Sequence, residues 1–232
     1  MTLKTFCLKV GLKYDNYIID NIIYWIINKI MQASVIIYHK NIEIYDSRWI
    51  ERCIDSIKNQ TYTDFKVFEI DYGGTGKQIY EGSLFYNIEM KTHVDAHNYL
   101  LDRCFPVHDC AFNVNLDDFY FNDRFEKQIK YMNHYDVVSG NFIHIDSKDR
   151  IIKSVIFNDM DIRKELRKNH NIIGHPGVCY SKNFWLNCTR LKPEEIPYDD
   201  MKLWQRSIRN FRFLILNDFL FYYRIHENQI CR

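Results

Sequence analysis

From Ala33 onward, apolar residues alternate between short continuous runs and sets spaced three and four apart. Ser34-Val35-Ile36-Ile37-Tyr38 is such a run, the pattern of a strand buried on both faces. Ile50, Cys53, Ile54 and Ile57 then share one helical face, with Ser47 placed to cap the helix and Asn59-Gln60 to close it. Strands are expected at 66–70, 84–90 and 111–116, with a helix over 95–103 before the last of them. Strand and helix alternating at this spacing predict βαβ units, so the first ~120 residues should form a doubly wound, mostly parallel sheet flanked by helices. Beyond it the pattern predicts a helix at 124–132 and two strands, 136–145 and 150–157, joined by the turn Asp146-Ser147-Lys148-Asp149. Helices at 160–168 and 199–209 and a late apolar run, 213–223, follow.

The segment before Ala33 reads differently. Ile19, Ile22, Ile23, Ile26 and Ile30 recur at helical spacing, but the longest apolar stretch, 22–27, is far short of the ~20 residues that span a bilayer. Asp15, Asn16, Asp20 and Asn21 also break up any signal-peptide core. This face packs on the domain, on a second copy of the chain or on a membrane surface, where Lys29 is the nearby cation. The parse is an N-terminal helical extension, 1–32, and one α/β domain, 33–232.

Composition adds exclusions. Lys plus Arg is 31 against 30 for Asp plus Glu, a net charge of +1, which gives no basic excess for a nucleic-acid partner. The 7 cysteines show no CxxC spacing, so reduced thiols and a cytoplasmic location are expected. Tyr at 17 and Phe at 16 against Gly at 8, together with an excess of Ile and Asn, follow AT-rich codons. Motif order is therefore a better guide than individual letters.

Four places carry candidate chemistry. Asp71-Tyr72-Gly73-Gly74-Thr75-Gly76 follows a strand, where open α/β sheets bind ligands, although it completes neither a P-loop nor a dinucleotide fingerprint. Asn115-Leu116-Asp117-Asp118 ends another strand with short oxygen side chains, which suit a hard divalent cation or a capped turn. Asp199-Asp200 opens a helix, where acids also favour the macrodipole. Tyr222-Tyr223-Arg224-Ile225-His226-Glu227-Asn228 lies near the C-terminus.

Taken in order, these segments resemble the family 2 glycosyltransferases of the GT-A fold. Asn59-Gln60-Thr61-Tyr62 matches the family's NQTY, and Asp71 the first acid of its DDGS. Ala96-His97-Asn98 falls on its A-R-N helix, and Asn115 to Asp118 on its D-x-D-D. Gly174-His175-Pro176-Gly177 falls on the acceptor-side loop. Asp199-Asp200 with Leu203-Trp204 and Arg206 matches E-D-x-x-L-W-x-R, and 222–228 matches the closing YYR-x-H-x-N. The resemblance spans about residues 33–230. Tyr72, Gly76, Asn115 and Asp199 depart from the family letters, and only Asn41 remains of the P-T-Y-N after the first strand.

The resemblance implies an inverting transfer of sugar from a nucleotide-diphosphate donor, most commonly a UDP-sugar, to a glycan, lipid or protein hydroxyl. It implies Mn²⁺ or Mg²⁺ held by Asp117 and His226, with Asn115, Asp118 and Arg224 around the diphosphate and Asp71 at the base or ribose. Asp200 is then the general base, and Asp199, Gly174, His175 and Gly177 line the donor-sugar and acceptor side. Trp204 packs beneath Asp200 in this reading. Two rivals remain: a catalytically decayed nucleotide-sugar-binding or scaffold protein of the same fold, and a nucleotidyltransferase, for which Tyr38-His39-Lys40 is a poor signature.

Overall fold

A computed structural model describes residues 31–157, 160–227 and 229. The apolar face expected over 19–30 lies outside them. The described residues from Gln32 onward belong to one unit.

The sheet starts from β1 (Ala33–His39), whose run of buried side chains explains its central place. It pairs in parallel with β2 (Phe65–Asp71) on one side and β4 (Cys110–Val114) on the other, and β3 (Leu84–Asn87) extends β2 in parallel. Between β1 and β2 lies α1 (Ser47–Lys58), which buries Cys53, Ile54 and Ile57. Its N-cap is Asp46 rather than the expected Ser47, because the Asp46 carboxylate accepts from the Arg48 amide. Helix α2 (His93–Cys104) begins two residues earlier than expected, since Thr92 and Asp95 close a capping box.

Past β4 the sheet becomes mixed. Its order is β3-β2-β1-β4-β8-β6-β9-β5, where β5 is Phe119–Tyr120, β6 Val137–Ile145, β8 Cys179–Ser181 and β9 Phe213–Arg224. Strand β8 runs antiparallel to both β4 and β6, β6 runs parallel to β9, and β7 (Ile151–Val155) hangs antiparallel on β6. Neither β8 nor β5 was anticipated: three and two residues carry no readable period.

The helix expected over 124–132 is shorter, α3 (Arg124–Ile129), and its buried side chains link strands to loop. Arg124 donates to the carbonyls of Asn113 and Val178, while Gln128 donates to those of Val138 and Gly177. The remaining helices are α4 (Ile162–Arg167), α5 (Lys182–Asn187) and α6 (Asp199–Ser207). Under α6, Trp185, Trp204, Tyr180 and Phe184 form a fully buried aromatic core. No helix among the described residues is long and apolar enough to cross a membrane.

Candidate active site

The carboxyl ends of β1 and β4, the last residues of β9, the loop before β8 and the start of α6 surround one open cavity of about 1100 Å³. This is where open α/β sheets place ligands, because the chain leaves the sheet there in loops. Of the residues singled out in the sequence, Asn115, Asp117, Gly174, His175, Asp199, Asp200 and His226 line it. Asp71, Asp118, Gly177 and Arg224 stand behind the lining.

One wall is built on the turn after β4. Asp117 Oδ2 lies 3.0 Å from His226 Nε2, although 109 positions separate the two. Arg224 makes this possible: its backbone amide donates to Asp118 Oδ1 at 2.8 Å and its Nε donates to the Asp117 carbonyl at 2.8 Å. The guanidinium is itself fully buried over the Trp49 ring and paired with Asp149. Burial, and then the neighbouring Asp117 charge, push the Asp118 carboxyl above its usual range, against the opposing pull of Arg224. Tyr38 donates to Asn115 Oδ1 at 3.1 Å, which leaves the amide nitrogen of Asn115 as the free donor of that side chain.

A divalent ion can be tested against this wall. Asp117 Oδ2 and His226 Nε2, 3.0 Å apart, are the carboxylate and the imidazole that could hold it. Among the described residues no group of three or more His, Cys, Asp and Glu side chains gathers to hold an ion. One carboxylate and one imidazole would leave open positions on such an ion for phosphate oxygens.

A second wall is the start of α6. Asp200 Oδ1 accepts from the Met201 amide at 2.6 Å, and Oδ2 accepts from Asn171 Nδ2 at 2.9 Å. Burial raises the Asp200 carboxyl above its ordinary range, even though the His175 ring, the Met201 amide and Asn171 pull the other way. Burial acts on Asp199 too, but the His93 ring 3.6 Å away and the charge of His175 outweigh it and hold that carboxyl low. Two adjacent acids thus differ in proton affinity.

Between the walls runs the 174–177 loop, pressed flat on Phe221. A Cβ on Gly177 would lie 2.3 Å from that ring, and one on Gly174 2.8 Å from it. Its carbonyls are held by Ser139, Asn113 and Gln128. His175 donates or accepts at the Tyr180 hydroxyl, 2.7 Å away, and burial pushes its imidazole below the usual value. Asp71 instead organises its own loop. Its carboxylate accepts from Thr75 Oγ1 and from the amides of Gly73 and Lys77, and these bonds outweigh burial to leave it low.

No family model matches the chain. Over 202 residues it is 28% identical to the O-antigen biosynthesis glycosyltransferase WbnJ of Escherichia coli, which covers 79% of this chain and 76% of that protein. It superposes on S. aureus TarS 1–349, solved in complex with UDP, with a TM-score of 0.63 at 17% identity. It also superposes on the mannosyltransferase PcManGT from Pyrobaculum calidifontis, in complex with GDP-Man and Mn²⁺, with a TM-score of 0.60 at 13% identity. These alignments cover 84% and 86% of this chain but 61% and 59% of the solved ones, so it spans about three fifths of their length. The chain is a glycosyltransferase of the GT-A fold.

Several side chains of this glycosyltransferase's cavity escaped the sequence reading. Asn171 and His93 hold the two acids of α6, and Tyr45 and Trp49 pack their rings against His226. His93 had a usable signal, since it directly follows the cap of a T-x-x-D box. For Asn171 there was none; its partner is 29 positions away.

Proposed function

We propose that this glycosyltransferase inverts the anomeric centre of a nucleotide-diphosphate sugar, with UDP as the carrier, and that Asp200 is its general base. The observation that carries the reading is that Asp200 and the Asp117–His226 pair open onto the same cavity. Asp200 Oδ accepts the proton of the acceptor hydroxyl as its oxygen attacks the anomeric carbon. The bond to the diphosphate breaks on the opposite face, toward Asp117. Asp117 and His226 would hold Mn²⁺ or Mg²⁺, which when bound supplies Lewis acidity for the departing diphosphate. Asn115 donates its amide proton to the donor, and the absence of a third acid there lowers the repulsion on the phosphates. Arg224 and Asp118 position this wall from behind; Asp71 shapes the loop beside the nucleotide. The transferase domain is 33–232 and the acceptor hydroxyl belongs to a glycan, lipid or protein.

The UDP and UDP-GlcNAc complexes of TarS support UDP as carrier, and the Mn²⁺ complex of PcManGT supports the metal. The test is Asp200→Asn in the purified chain. Sugar transfer should fall by about 10²–10⁴ while donor binding, measured by calorimetry with Mn²⁺, stays unchanged. Transfer at the wild-type rate would sink the base assignment. Asp117→Ala should do the reverse and remove the Mn²⁺-dependent part of donor binding. A wild-type chain that neither transfers nor hydrolyses any donor sugar would point to the decayed-site reading instead.

A further inference from the structure

Helix α4 and the end of α6 enclose a second groove of about 420 Å³. Arg163 and Arg167 reach it from α4, one turn apart on the same face, and Arg206 and Arg209 face them over a floor of Leu166 and Ile208. Glu195 neutralises Arg206. Among the described residues no carboxylate lies within ion-pair distance of Arg163, Arg167 or Arg209, all three of which are exposed. In a chain of net charge +1 this is a local concentration of unpaired positive charge. Guanidinium forks match phosphate oxygens and are less strongly hydrated than ammonium groups.

The chain leading into α4 favours a surface over a soluble anion. Ile156 and Met160, just before α4, are 51% and 43% exposed, and Lys164 adds a further exposed cation on the helix. Exposed apolar residues that precede, in sequence, a helix carrying three exposed cations suit the headgroup layer of a bilayer rather than a dissolved phosphate. The groove also joins the cavity mechanically. Gln205 donates to the Leu166 carbonyl at 2.8 Å and to Asn169 Oδ1 at 3.0 Å, and Asn169 lines the cavity. Arg206 lies six residues after Asp200 on α6, about 9 Å along the helix.

We propose that the α4–α6 arginine groove docks the chain on an anionic lipid bilayer by binding phosphate headgroups. The docking is independent of which sugar is moved and of Asp200 chemistry. It holds the open cavity at the membrane surface through residues that take no part in transfer.

The test is co-sedimentation of the full chain with phosphatidylcholine vesicles made with and without phosphatidylglycerol, using wild type, R163Q/R167Q and R163Q/R167Q/R209Q. Binding should require phosphatidylglycerol and weaken as salt is raised. Each arginine lost should reduce partitioning about five-fold, so about 25-fold for the double variant. The three positions are exposed, so the variants should keep wild-type thermal unfolding, and that is checked first. No phosphatidylglycerol-dependent binding by wild type, or equal binding by the variants, overturns the proposal. A parallel calorimetric titration with inorganic pyrophosphate, free of divalent metal, separates the sources. Pyrophosphate binding that the variants lose, without vesicle binding, would assign the groove to a soluble phosphate and overturn the bilayer reading.

Discussion

The carboxylate of Asp200 is half-buried, yet the proposed base must be ionised, and that conflict has two measurable consequences. Burial raises its proton affinity, while the Asn171 amide bonded to Oδ2 lowers it. The low-pH limb of kcat/KM should therefore lie above the ordinary aspartate value of about 4, and Asn171→Ala should move it higher still. A limb that moves down in that variant would contradict the assignment. Stability follows the same linkage. A group whose pKa is raised on folding contributes stability that is fully present below its unfolded value and is lost as pH rises through the folded value. Asp200→Asn removes that loss. The variant should unfold at a higher temperature than wild type at neutral pH, with the difference closing below about pH 4. A base that costs stability is what a site tuned for proton transfer is expected to carry.

At the scale of elements, the 174–177 loop depends on one close approach, that of Gly177 to Phe221. Gly177→Ala places a methyl 2.3 Å from the ring, and the loop carbonyls tied to Gln128 and Asn113 prevent it from backing away. The expected loss is about 1–3 kcal/mol, read as a lower denaturant midpoint with unchanged slope. Adding Phe221→Leu should recover part of it, a coupling that a purely local glycine effect would lack. Ser34 to Tyr38 and 111–116 announce strands because both faces are apolar, and α1 because Cys53, Ile54 and Ile57 share a face. Strand β8 stayed hidden because Cys179–Ser181 is a strand only through its neighbours β4 and β6. The letters of the candidate site were readable, but not their direction. Asp71 could be found and yet turns its carboxylate onto its own loop, a choice made by the amides of Gly73 and Lys77.

For the whole molecule, ligand binding and folding are one equilibrium, and the walls of the cavity come from both ends of the described chain. Tyr38 stands on β1 and His226 follows β9, so a ligand that bridges them must be released before the sheet can come apart. A nucleoside diphosphate that binds only the folded chain at 100 times its Kd adds about 2.7 kcal/mol. For a domain of this size that is roughly 5–11 °C in Tm. UDP with Mn²⁺ should produce such a shift, GDP and ADP a smaller one, and EDTA should abolish it. Replacing Asp117 by Ala should remove the metal-dependent part, whereas R163Q/R167Q should leave the shift intact, since the arginine groove takes no part in donor binding. If GDP rather than UDP gave the larger shift, the carrier would change while the diphosphate wall stood. If no nucleoside diphosphate shifted Tm at any metal concentration, the donor site itself would have to be placed elsewhere than between Asp117 and Asp200.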